Sequence, residues 1–231
     1  MTTHIQFGSK KIDFNLLYSG RKTLGISVTP GMQILVKAPS GASIEKIKAI
    51  IKKKAPWILK QQNFFLAFHP KPPVKRFVNG ESHLYLGRQY KLRVIKAKKN
   101  DIHFNAREIQ VHIKEGGSPR NILNSWYRER AKMKFAEIAA PLIQRFKKYK
   151  VEPRSLYLQE MNLRWGSCTP KGKIILNPEL IKAPKPCIEY VIIHELCHLV
   201  HKNHTRKFFD LQAKEMPDWE RWKNRLEGLL A

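Results

Sequence analysis

The stretch His194-Glu195-Leu196-Cys197-His198, followed by His204, says most about the fold of this chain and its chemistry. A helix repeats every 3.6 residues, so His194 and His198 project from one helical face and are able to bind one metal ion. Glu195 lies beside the first histidine, where its carboxylate reaches a water on that metal. Two histidines and a carboxylate at this spacing are typical of a zinc-dependent hydrolase, with Glu195 as the general base.

The flanking residues predict that this motif lies on a buried helix. Pro184 and Pro186 precede it, and proline is favoured in the first helical turn. An apolar stripe at helical spacing runs through the same segment and consists of Ile188, Val191, Ile192 and Leu199. The alternative is a solvent-facing helix on which Glu195 makes an ordinary surface ion pair, and the apolar stripe disfavours it.

A catalytic zinc site takes three protein ligands, so one more is needed after His198. His201 shares a face with His194 if the helix continues, but three ligands on one straight helix would spread over about 10 Å of its axis. Zinc–nitrogen bonds of about 2.0–2.1 Å do not span that length. His204 is favoured, because Asn203 tolerates the left-handed conformation that ends a helix and would let His204 fold back. His201 is then a cation at the helix end or a group that orients a ligand.

The chain is strongly basic, with 44 Lys and Arg against 18 Asp and Glu and a formal net charge of +26. Residues 1–114 hold 22 basic and 5 acidic residues, a net of +17, and residues 115–231 hold 22 and 13, a net of +9. Such a surface attracts nucleic acid, nucleotides or an anionic membrane surface, most strongly through the N-terminal half. For each separate lysine run, at residues 52–54, 96–99 and 147–150, a solvated face that favours solubility is the simpler interpretation.

Composition indicates a cytoplasmic protein that does not cross a membrane. No apolar run approaches the length of a membrane span, and the first nine residues lack the pattern of a signal peptide. Three cysteines, Cys168, Cys187 and Cys197, fit a reducing interior better than a disulfide framework. Cys197 precedes His198 and is predicted to point into the helix packing as a small hydrophobic residue.

Hydrophobic patterning predicts an α+β fold in two regions, a β-rich basic region at 1–115 and a small metal-binding domain at 116–231. Ser43 is a plausible N-cap for a helix that Pro56 is expected to break or restart, and Pro70, Pro72 and Pro73 mark a loop. Ser118-Pro119 begins a long helix that Pro141 is expected to kink or end. No internal repeat is visible.

Several further motifs carry a resemblance to a known family. They are Val78-Asn79-Gly80-Glu81, Tyr85-Leu86-Gly87-Arg88, Trp126-Tyr127, Arg164-Trp165-Gly166-Ser167-Cys168, Leu176-Asn177, the histidine motif itself, Asn203-His204 and Phe208. Together they resemble the YgjP-like family of predicted zinc metallopeptidases, which is similar to the SprT-like and WLM proteases within the zincins. The resemblance implies a zincin-like catalytic domain, zinc on His194, His198 and His204, and Glu195 as general base.

The segment from Arg164 to Cys168 is expected to lie beside the metal, since a strand edge next to the metal helix of zincins binds extended substrate through its backbone. Gly166 would permit a close backbone approach, and Arg164 or Ser167 would contact substrate. The alternative is that Arg164 is structural and pairs with an acidic residue such as Glu189.

Three functions remain open on the sequence alone. The first is a zinc metallopeptidase acting on peptides or proteins. The second keeps the metal but hydrolyses a nucleotide phosphoanhydride, because nucleotides are anions and the chain is basic. The third is a protease tethered to nucleic acid by its basic surface, or a nucleic-acid binder without activity. A purely structural zinc is disfavoured, because such sites usually have four ligands that include cysteine.

Overall fold

The computed structural model describes residues 2–8, 10–29, 31–66, 75–161 and 164–230. The fold is α+β as predicted, with strands concentrated in the first half and helices in the second. Residues 1–73 with 230–231 form one compact unit, unit 1, and residues 74–229 form another, unit 2. The functional division predicted at residue 115 stays a prediction. The boundary between the two compact units lies earlier in the chain, after residue 73. The loop predicted at Pro70, Pro72 and Pro73 lies outside the described residues.

Unit 1 is a four-stranded sheet covered on one face by a helix. Its elements are β1 (Thr2–Phe7), β2 (Lys10–Ser19), β3 (Gly25–Val28), β4 (Ile34–Pro39) and α1 (Ile44–Leu66). The strand order is β1-β2-β4-β3, and only the central pair β2–β4 is parallel. Alternate strand residues such as Phe14, Leu16 and Val36 point to the face that packs against α1, where Ile47 and Ile51 complete the core.

Unit 2 begins with a second sheet and a second helix. The elements are β5 (Ser82–Tyr85), β6 (Arg88–Lys96), β7 (Asp101–Phe104), β8 (Glu108–Ile113) and α2 (Pro119–Phe146). Aromatic rings join the sheet to the helix, since Trp126 lies 5.1 Å from Tyr85 and 5.5 Å from Phe104 between ring centroids. The Tyr127 hydroxyl also donates to the carbonyl of Leu84 at 2.7 Å.

The two units contain the same four-strand-and-helix module. The second sheet has the order β5-β6-β8-β7, again with a parallel central pair, and again a helix follows the last strand. The expectation of no internal repeat is therefore wrong at the level of topology. Sequence does not reveal it because the cores use different side chains: Leu16 lies opposite Val36 in one central pair, and Leu92 opposite Ile109 in the other.

The rest of unit 2 consists of a small sheet and three helices. The sheet has the order β10-β11-β9, formed by β9 (Ser155–Leu158), β10 (Gly166–Cys168) and β11 (Lys173–Leu176). A short 3₁₀ helix (Pro178–Lys182) leads to α3 (Lys185–Val200), α4 (Arg206–Glu215) and α5 (Trp219–Leu230). The β5–β6 turn is fixed to this segment, because the N–H groups of Leu86 and Gly87 donate to the carbonyls of Ile181 and Lys182 at 2.8 and 3.1 Å.

Two prolines expected to break or end helices do not do so, and the kink expected at Pro141 stays a prediction. Helix α1 runs through Pro56, and α2 runs through Pro141. A proline removes the N–H that would bond to the carbonyl four residues earlier, here those of Lys52 and Glu137. Both residues are exposed, so water is available to those carbonyls, while buried residues on either side of each proline hold the helix together.

Candidate metal centre

Helix α3 carries the histidine motif and is buried on nearly every side. Its N-terminus has Pro184 as N-cap and Pro186 within the first turn, in agreement with the sequence prediction. Its buried residues are Cys187, Ile188, Tyr190, Val191, Ile192, Ile193, Glu195, Leu196 and Cys197. The buried helix predicted from the apolar stripe is confirmed, and the polar groups of this helix therefore lie where an unpaired polar atom is costly.

The chain reverses direction directly after α3. The helix ends with His201 as C-cap in an extended conformation, with φ −128° and ψ 107°. Asn203 is not among the described residues with positive φ, so the expected left-handed turn at Asn203 is wrong. A hydrogen bond of 2.8 Å from the Thr205 N–H to the Asn203 carbonyl closes the turn instead. The result is that His204 folds back over α3.

The turn brings His194, His198 and His204 together. One nitrogen from each ring lies within 4.8 Å of the other two. The Nε2 atoms of His194 and His204 are 3.0 Å apart. Ligand nitrogens around a tetrahedral zinc with bonds of about 2.0–2.1 Å lie roughly 3.3 Å from one another. The three imidazoles therefore fit a single metal ion with small adjustments.

Hydrogen bonds on the outer nitrogens orient two of the rings. Nδ1 of His194 lies 2.8 Å from Oε1 of Gln212, a fully buried residue of α4. Nδ1 of His198 lies 3.2 Å from the carbonyl of His201. Each Nδ1 therefore carries the proton, which leaves the Nε2 lone pair free for a metal. His201 takes part through its backbone and not through its imidazole.

Aromatic rings pack against the three imidazoles, of which that of His204 is exposed. Phe208, which is fully buried on α4, lies 5.0, 4.6 and 4.7 Å from the ring centroids of His194, His198 and His204. Phe209 stacks on His204 at 5.9 Å. Helix α4 thus supplies both the hydrogen-bond acceptor for His194 and the apolar surface that fixes the positions of all three rings.

The environment of His194 and of His204 favours the neutral imidazole, which is the form that binds a metal. Burial, together with the charges that His198 and His204 would carry, lowers the pKa of His194 to about 4, while the hydrogen bond to Gln212 acts in the opposite direction. Burial, together with His198, also lowers the pKa of His204. At neutral pH protons therefore compete weakly with a metal for these two rings.

Glu195 is a buried carboxyl group with an unusual affinity for its proton. Only 5% of the residue is exposed, and burial raises its pKa to about 8. The charge of Arg164 and a hydrogen bond from the Cys168 backbone oppose that rise. A carboxyl with a pKa near neutrality is suited to accept a proton and to return it, and a nearby cation favours its ionised form.

Strand β10 approaches α3 closely at Gly166. A Cβ atom there would lie 2.7 Å from Oε1 of Glu195 and 2.8 Å from Cγ1 of Val191, so only glycine fits without displacing the carboxylate. Side chains alternate along a strand, which puts Ser167 on the face turned away from α3. Gly166 therefore faces α3, whereas the Ser167 side chain faces away from it. Contact of Ser167 with substrate stays a prediction.

Arg164 lies just before β10 in a segment held by Asn177. The buried Asn177 side chain donates to the carbonyls of Met161 and Arg164 at 2.8 and 3.1 Å. Arg164 is exposed, and its charge acts on Glu195. Glu189, the alternative partner expected from the sequence, instead forms an ion pair with Lys185 at 3.5 Å.

The three cysteines are free thiols. Cys197 is fully buried, and burial raises its pKa to about 12, so the prediction of a small hydrophobic residue is confirmed. Gln212 was not identified from sequence. A buried glutamine on a separate helix, 18 positions after its partner, leaves no local pattern that would reveal it.

A helix with a His-Glu-x-x-His motif, a third histidine after a turn and a small sheet alongside are together characteristic of zincin-like metallopeptidases. The model of the YgjP-like metallopeptidase domain matches residues 22–228, and this chain belongs to the YgjP-like family. Membership suggests a metal-dependent hydrolase with a peptide or protein substrate. No curated protein matches the chain significantly. Across the part of the chain that the structure describes, no helix is long and apolar enough to cross a membrane.

Proposed function

We propose that this protein is a zinc-dependent peptidase in which His194, His198 and His204 bind the metal and Glu195 is the general base. The observation that carries the proposal is the cluster of three imidazole nitrogens within 4.8 Å of one another. The orientation of two rings by Gln212 and by the His201 carbonyl supports it, because zinc-binding histidines usually donate their other ring N–H to such acceptors.

Zinc at this position would polarise a peptide carbonyl and lower the pKa of a bound water towards 7. Glu195 would accept a proton from the attacking water and return it to the leaving amine. The buried setting of the carboxyl favours both steps, since burial raises its pKa to about 8 while the Arg164 charge acts in the opposite direction. The Cys168 backbone holds the carboxylate in place.

The substrate is proposed to lie along β10. Ser167 pairs with Ile175 of β11, whereas Gly166 and Cys168 alternate with it and direct their backbone groups to the other edge. The Cys168 N–H already bonds to Glu195, so the substrate would use the Gly166 groups and the Cys168 carbonyl. Strand β10 is at the end of its sheet, so an extended peptide is able to add there through backbone hydrogen bonds. The exposed Arg164 beside this edge is placed to bind a carboxylate or an oxyanion of the substrate.

The test compares Glu195→Gln with wild type against a panel of unstructured peptides and denatured proteins. Glutamine has nearly the same shape but does not accept a proton, so turnover should fall by about 10²–10⁴-fold while zinc content is unchanged. Glu189→Gln is the matched control, because it removes a carboxylate of the same helix that pairs with Lys185. Wild-type turnover by Glu195→Gln would refute the role of Glu195.

A nucleotide substrate is the second candidate, and the observation that favours it is the net charge of +26. Nucleoside triphosphates therefore belong in the same assay. Consumption of a nucleotide that depends on Glu195, in a preparation that cleaves no peptide, would replace the peptidase proposal and leave the metal site unchanged.

A further inference from the structure

Helix α1 of unit 1 presents an unusual stripe to solvent. Five residues form this stripe, and the intervals between them are four, three, four and three positions, a spacing that keeps them on one helical face. They alternate between lysine and a large apolar residue: Lys46, Ile50, Lys53, Trp57 and Lys60. Ile50 is 43% exposed and Trp57 is 42% exposed. We call these five residues the α1 stripe.

The opposite side of α1 fixes the direction of this stripe. Ile47, Ile51, Ala55 and Ile58 are fully or almost fully buried against the sheet of unit 1. The helix cannot rotate to bury Trp57 without exposing that core, which would cost much more than it gains. The packing of the buried face of α1 therefore keeps Trp57 and Ile50 exposed, and neither side chain contributes to the core of unit 1.

The lysines of the stripe are free to bind an external anion. Helix α1 contains six lysines and one acidic residue, Glu45. Lys46, Lys53 and Lys60 form no ion pair with any residue in the described ranges. Successive lysines of the stripe are seven residues apart, about 10 Å along the helix axis, and Trp57 lies between the last two.

We propose that the α1 stripe binds single-stranded nucleic acid. Such a strand offers phosphates to the lysines and an unpaired base to the indole of Trp57, which is the combination that single-strand binders use. A duplex would engage only the lysines, because its bases are stacked on one another. A membrane surface would require a wider apolar face than Ile50 and Trp57 provide. This binding is independent of the metal centre.

The first experiment measures fluorescence anisotropy of a labelled oligothymidylate with the full-length protein at several salt concentrations. Trp57→Ala should weaken binding about tenfold and leave the salt dependence unchanged, because stacking carries no charge. Replacing Lys46, Lys53 and Lys60 by Gln should flatten the slope of log K against log salt by about 2. Both variants alter exposed side chains, and thermal melting checks that they fold.

The matched control removes the same charge elsewhere, by replacing Lys96, Lys98 and Lys99 by Gln in unit 2. The proposal requires this control to bind nearly as well as wild type. Equal losses in the two triple variants would show that only total charge matters and would overturn it. Full affinity of Trp57→Ala would do the same, as would equal affinity for a duplex of the same length. Binding to phosphatidylserine vesicles without binding to oligothymidylate would assign the stripe to a membrane surface.

Discussion

The two four-strand-and-helix modules of this protein share a topology but differ in what their helices do. Helix α1 packs against its own sheet and leaves lysines and Trp57 in solvent. Helix α2 packs against its sheet and also against α3, so it is part of the support of the histidine cluster. In unit 2 the polar residues Asn177, Glu195 and Gln212 are buried and make specific contacts at the site. In unit 1 the lysines of the α1 stripe are exposed. Substitutions of these polar residues should therefore have large effects in unit 2 and small effects in unit 1.

The largest effect is expected at the ligands themselves. His204→Ala should lower zinc affinity by more than 100-fold, because it removes a bond to the metal and not only a group that orients a ligand. His201→Ala should retain zinc, since His201 contributes its carbonyl. Competition with a chromophoric chelator measures both. Retention of zinc by His204→Ala together with its loss in His201→Ala would reverse the assignment of the third ligand.

The next effect concerns the stability of the metal-free protein at different pH values. The pKa of Glu195 is about 8 in the folded protein and about 4.3 in an unfolded chain, so its contribution to stability is complete below pH 4 and is lost as pH rises through 8. Between pH 4 and 9, wild type should lose roughly 4–5 kcal/mol relative to Glu195→Gln.

Urea unfolding of both proteins in the presence of a chelator measures this difference. The opposite contribution of His194, whose pKa is lowered to about 4, is common to both proteins and cancels. Parallel stability curves for the two proteins would mean that the Glu195 carboxyl is not buried as described.

A smaller effect is expected at Gln212. Gln212→Met keeps the volume but removes the acceptor for Nδ1 of His194, and zinc affinity should fall about 10–100-fold. Gln212→Glu restores an acceptor, and it also removes the Nε2 group, which has no hydrogen-bond partner among the described residues. Zinc affinity of the glutamate variant should exceed that of the methionine variant. Equal affinities would show that Gln212 only fills space.

The smallest effect is expected in unit 1. Lys53→Gln should change the free energy of unfolding by less than about 0.5 kcal/mol, because the side chain is exposed and forms no ion pair with the residues described. Chemical denaturation of the full chain measures it. A loss of more than 1 kcal/mol would show that α1 is covered in a way that its exposed stripe does not suggest.

Sequence reasoning succeeded where a short-range pattern determines the structure. The spacing of His194 and His198 places both on one face of α3, and their ring centroids lie 5.0 Å apart. The proximity of His204 followed from bond lengths, although the turn that produces it has a different conformation from the one expected. Gly166 was expected to permit a close backbone approach of substrate, which stays a prediction, and the structure shows that it also lies close to Glu195.

Sequence reasoning failed where tertiary contacts decide. Gln212 and Phe208 reach the histidines only because α4 packs across α3, and no local pattern encodes that packing. The repeated module was missed because topology constrains only the alternation of apolar residues and not their identity. The effect of the prolines in α1 and α2 was overestimated, since each helix continues through its proline and has buried residues on both sides of it.

The three imidazoles and the groups that orient His194 and His198 all lie between residues 194 and 212, on two consecutive helices and the turn that joins them. Contacts so close in sequence cost little loop-closure entropy and form early in folding. Glu195, in contrast, is held by Cys168 of β10 and becomes buried only when that strand docks on α3. We therefore expect the folding chain to acquire its metal before it acquires its general base, so that a partly folded intermediate is metal-loaded but inactive.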